Sequence, residues 1–105
     1  MKIQTSVYYT QDEVLQIQRK IVQVLNRVKN EFDVLLDSEP IWFAGSMRLP
    51  KREQTWTLKV SSHGEPQSVE FSAAEIQGFV VGDPVASHSL QIKLENAIKL
   101  LLRPR

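Results

Sequence analysis

The chain carries two histidines, His63 and His88, and they are the first side chains to weigh as general bases. His88 stands between Ser87 and Ser89, a neighbourhood that suggests a nucleophile beside its base. Adjacent residues on a helix do not face one another, so neither serine is presented to the ring. No acid sits at a spacing that would orient either imidazole. His63 precedes Gly64 between two strand-like segments and reads as an exposed turn residue. No catalytic residue is expected from this set.

The carboxylates Asp12, Glu13, Glu31, Asp33, Asp37 and Glu39 lie on or beside one predicted helix. Paired carboxylates perform acid–base work when their surroundings split their pKa values. Here Asp12 and Glu13 are accounted for by helix capping, and the other four by solvent-facing positions or the break after the helix. Those four also lack the spacing of a calcium loop. There is no cysteine, which removes thiolate nucleophiles, disulfides and cysteine-based metal sites together. Gly78 and Gly82 lack the lysine and hydroxyl residue of a phosphate loop. We therefore expect no metal and no cofactor.

One cluster of a different kind is present. Arg48, Lys51 and Arg52 surround Pro50, with Trp42 and Trp56 on the flanking segments. Cations beside stacking aromatics suit single-stranded nucleic acid. Against that, Glu53 dilutes the patch, Trp56 has a core-facing phase, and the chain balances 13 basic against 12 acidic residues. Nucleic-acid binding through Arg48, Lys51 and Arg52 is one alternative reading, and an enzyme whose site is too dispersed to see along the chain is a second.

Any such residues need a scaffold. A length of 105 residues suits a single domain, 1–105, able to bury one core without staples. Met1 to Ser6 lack the apolar run of a signal peptide, and no stretch is long and apolar enough to span a bilayer. The expectation is a soluble, cytoplasmic protein.

Ile3 to Tyr9 alternate as a strand does. Thr10-Gln11-Asp12-Glu13 is a capping box, and the acids favour the positive end of the helix dipole. Val14, Leu15, Ile17, Ile21, Val22, Val24, Leu25, Val28, Phe32, Leu35 and Leu36 then follow at helical period. Their arc is wider than a surface helix needs. Carried through residue 36, this helix would be roughly 39 Å long, as much as the whole domain is wide. Asn30 is the one position that suggests an earlier stop.

After Pro40, alternation puts Ile41, Phe43, Met47 and Leu49 on one strand face and Trp42, Ala44, Ser46 and Arg48 on the other, with a bulge expected at Gly45. Gln54 to Val60 make the next strand, and Val69 and Phe71 mark the last. Ser72-Ala73-Ala74-Glu75 opens a short helical turn that Gly78 is expected to end. Phe79-Val80-Val81 fits either a strand or a buried loop. Asp83-Pro84 caps a final helix with the stripe Ala86, Leu90, Leu94, Ala97, Ile98 and Leu101.

The fold class is therefore α+β: a four-stranded antiparallel sheet with a long first helix and a C-terminal helix on one face, in the order β-α-β-β-β-α-α. The opposite face should carry Thr55, Thr57, Lys59, Ser68 and Glu70. The wide first helix, in a chain without reactive clusters, points to a non-enzymatic protein-interaction module. Its partner would be another protein or a second copy, docked on that helix.

Overall fold

The computed structural model describes residues 7–44 and 49–102. The elements run α1 (Gln11–Glu31), β1 (Ile41–Ala44), a single 3-10 turn (Lys51–Glu53), β2 (Trp56–Ser62), β3 (Glu65–Phe71), α2 (Ala73–Val80) and α3 (Pro84–Leu101). The class is α+β with three helices and an antiparallel sheet ordered β1-β2-β3. Three strands are described where four were expected. The first expected strand, Ile3–Tyr9, falls mainly on residues 1–6, outside the described residues, while Val7 and Tyr8 bend and Tyr9 joins no element.

Capping starts α1 as the sequence predicts. The Thr10 hydroxyl accepts from the Glu13 N–H at 3.1 Å, and the Thr10 N–H donates to Glu13 Oε1 at 2.8 Å. The helix ends five residues earlier than its hydrophobic pattern, and the cause is local. Asp33 takes φ 55°, a left-handed conformation that acidic side chains tolerate better than most. Its N–H bonds to the carbonyl of Asn30 and that of Val34 to the carbonyl of Lys29, which closes the helix as a Schellman motif. Val34 is then drawn into the core while Leu35 is left exposed.

The stripe Val14, Ile17, Ile21, Leu25 and Val28 is buried against the chain's own core. Val22 and Val24 are half-buried and Leu15 exposed. The opposing surface is the inner face of the sheet, where Trp56, Leu58 and Val60 of β2 stand beside Val69 and Phe71 of β3. Complete burial of each such side chain is worth about 1.5–3 kcal/mol. Thr57, Lys59, Ser68 and Glu70 face outward as expected, and Thr55 is exposed just before β2.

β1 keeps the expected alternation of Ile41 and Phe43 against Trp42, and the structure decides which side is inner. Trp42 pairs with Leu58 and faces inward, packing edge-on against Trp56 at 5.9 Å, while Ile41 and Phe43 face out. Alternation alone does not say which face is inner. An indole that can reach both Trp56 and Phe71 decides it. Met47, Ser46, Arg48 and the bulge expected at Gly45 lie outside the described residues.

Two turns carry visible constraints. His63 and Gly64, at φ 52° and 77°, are the central residues of the β2–β3 hairpin, both left-handed as a type I′ turn requires. The Asp37 carboxylate accepts from both of their N–H groups at 2.9 Å, and these contacts, Gly64's first, lower its pKa. Ser62 adds a hydroxyl bond to the Leu35 carbonyl, so the α1–β1 connection is tied to the hairpin end. Asp37 therefore belongs to the structure of the turn rather than to a solvated break.

The second constraint joins α2 and α3. Gly78 was expected to end α2, yet it lies inside that helix and Gly82, at φ 80°, ends it. A Cβ at Gly78 would collide with the Cβ of Ala86, so glycine here is set by helix-to-helix approach. Asp83 closes α2 through its N–H to the Gly78 carbonyl and caps α3 through its carboxylate to the Val85 N–H. Phe79 and Val80, open to a strand reading in the sequence, form the last turn of α2. On the same joint, the Glu75 carboxylate accepts from the Ser72 N–H, the Ser89 hydroxyl and the Lys93 ammonium, whose Nζ also reaches the Glu70 carbonyl of β3.

Gly78→Ala should destabilise the protein by about 1–3 kcal/mol in urea unfolding, despite alanine's better helix propensity, because it overpacks the contact. Adding Ala86→Gly should recover part of that loss. Partial burial raises the Glu75 pKa, but Lys93, the Ser72 N–H and the Ser89 hydroxyl outweigh it and bring the value to about 2. With the folded value below the ordinary one, this contribution is present above pH 4.5 and is lost as pH falls toward about 2. Glu75→Gln should cost about 2 kcal/mol at neutral pH, and the gap from wild type should shrink across that acid range.

Candidate functional site

A cleft lies where the start of α1 meets the 3-10 turn and the end of α2. α1 presents Glu13, Gln16, Ile17 and Lys20, a spacing that puts all four on one helical face. The 3-10 turn supplies Lys51, and α2 supplies Gln77 and Val80, followed by Val81. Tyr9 completes a cleft of about 350 Å³, within the small end of the range for ligand sites.

Its polar groups are arranged around Glu13. One carboxylate oxygen is held by the capping box, and the other lies 3.4 Å from Lys51 Nζ. The Thr10 N–H, with Lys51 adding to it, lowers the Glu13 pKa, so this acid is ionised at neutral pH. Lys51 Nζ also sits 5.2 Å from the Tyr9 ring centroid, a cation–π contact. Tyr9 in turn meets Trp56 edge-on at 5.6 Å. Burial, assisted by the Glu13 charge, raises the Tyr9 pKa and keeps the phenol protonated.

Among the described residues, three buried polar atoms near Tyr9 and β2 have no hydrogen-bond partner: Tyr9 Oη, Trp56 Nε1 and Gln54 Oε1. Buried polar groups are nearly always satisfied, so three in one neighbourhood mark a departure from ordinary packing. The cleft holds a carboxylate with a lowered pKa and a phenol with a raised one. Neither shift moves a group toward neutral pH, where a general base works best. Such a site is suited to binding.

The basic hairpin fares differently from its sequence pattern. Lys51 is engaged with Glu13 and Tyr9, Arg52 is exposed, and Arg48 lies outside the described residues. Trp56 is 1% exposed and Trp42 is packed on the inner face, so neither presents an open stacking surface. His63 lies in the hairpin turn and His88 is exposed on α3, where Ser89 is bonded to Glu75. Among the described residues, no group of three His, Asp or Glu side chains is placed to hold a metal ion. No helix among them is long and apolar enough to cross a membrane.

Sequence reasoning missed Tyr9, Lys20, Val80 and Val81 as neighbours. Tyr9 carried one signal, since a residue just before a capping box must sit near the first turn of the helix. Val80 and Val81 carried none, because their meeting with α1 is purely tertiary. Compared with family models, curated proteins and solved structures, the chain has no match.

Tyr9→Phe removes a buried hydroxyl that has no acceptor, so thermal and urea unfolding should show stability equal to wild type or higher. A clear loss would mean that the phenol makes a bond of structural weight.

Proposed function

We propose that the protein is a small non-enzymatic interaction module that joins a second copy of itself through β1. The carrying observation is that Ile41 and Phe43, 51% and 53% exposed, sit side by side on the outer face of an edge strand. Among the described residues β1 pairs only with β2, leaving its other edge without ladder bonds. Natural proteins usually blunt such an edge with charge or proline, and this one carries Ile-Trp-Phe-Ala. The sequence pattern had pointed to α1 as the docking surface. Its stripe faces the core, so the exposed apolar pair on β1 takes over that role in the proposal.

Strand addition has a definite register. Antiparallel pairing that keeps the two sheets continuous requires opposite residues on the same face. Trp42 would then lie opposite Trp42 of the second copy and Ile41 opposite Phe43, an aliphatic–aromatic cross-strand pair. The near-balanced charge opposes this association little.

Sedimentation or light scattering across concentration should reveal dimers that Phe43→Glu abolishes while the circular dichroism spectrum and unfolding midpoint stay close to wild type. Only monomer at every concentration, with wild type and variant alike, would refute the reading.

A further inference from the structure

The cleft at the start of α1 is lined by two cations, Lys20 and Lys51, against one carboxylate, Glu13, and by the neutral amides of Gln16 and Gln77. Its single carboxylate, Glu13, is committed on both oxygens, to the Thr10 N–H and to Lys51. Lys20 makes no ion pair among the described residues, so the lining holds one uncompensated positive charge. The aliphatic part of the lining is Ile17, which is buried, with Val80 and Val81, which are exposed. Val81 is 79% exposed although nothing in its helix end requires an apolar residue.

We propose that this cleft binds a free single-chain carboxylate. The head group sits at Lys20, the cation without a paired carboxylate among the described residues, and the alkyl chain lies along Ile17, Val80 and Val81. A monoanion matches the one spare charge, whereas a phosphate monoester would bring nearly two. A volume of about 350 Å³ accommodates a chain of medium length. This site lies apart from β1 and does not rest on the self-association proposed above.

The test is calorimetry and amide NMR with the full chain, using decanoate below its micelle concentration, with decanol and decyltrimethylammonium as controls. Decanoate should bind saturably at one site and shift the amides of Ile17, Val80 and Val81. Decanol should bind at least about tenfold more weakly, since it lacks the charge-assisted contacts. Lys20→Glu should weaken decanoate by a similar factor, and Val81→Ser should weaken it a few-fold. Both positions are exposed, and an unchanged unfolding midpoint will establish that each variant is folded. Equal affinity for decanol or the cationic analogue would overturn the proposal, as would decanoate shifts centred on Ile41 and Phe43. Binding to phosphatidylglycerol vesicles without binding of decanoate would overturn it in favour of a membrane surface.

Discussion

The sheet has one apolar face, and the placement of every helix follows from that. Trp56, Leu58, Val60, Val69 and Phe71 point to the same side because strand side chains alternate and the β2–β3 register aligns them. Three strands cannot bury this surface by themselves, so α1 and α3 must cover it. The stripes of both helices meet there, Val14 to Val28 from one and Ala86 to Ile98 from the other. Both helices then lie on the inner side, and on the outer face the apolar Ile41 and Phe43 remain about half exposed.

A single aromatic residue translates that constraint into the edge. Trp42 inserts between Trp56 and Phe71, which forces its neighbours Ile41 and Phe43 outward. The exposed pair on β1 is thus a consequence of completing the core with an indole. The same aromatic group extends through Tyr9 to the cleft, since Tyr9 stacks edge-on with Trp56 on one side and underlies Lys51 on the other. Core and cleft share a wall. Among the described residues Tyr9 Oη and Trp56 Nε1 have no partners along that wall, and a buried polar group left so costs stability.

The joint between α2 and α3 shows how few residues such a constraint needs. Gly78 lets the helices approach, Gly82 reverses the chain, and Asp83 serves the end of one helix and the start of the next. Glu75 then ties the joint to β3 by way of Lys93. This arrangement places Val80 and Val81 in the lining of the cleft that α1 shares.

Local chemistry made much of the scaffold legible in the residues alone. The capping boxes at Thr10 and Ser72, the Asp83-Pro84 start, the alternation of β2 and the stripe of α3 are each determined within a few residues, by hydrogen-bond geometry and periodicity. Tertiary structure decided the rest. The end of α1 at Phe32 depended on Asp33 adopting a left-handed conformation so that Val34 could reach the core, and the phase of β1 depended on which aromatic ring found Trp56. Gly78 looked like a helix end because its real neighbour, Ala86, belongs to another helix. For the same reason the cleft was invisible in the sequence: Glu13, Lys51 and Val80 meet only after folding, and no spacing along a chain encodes a contact made across it.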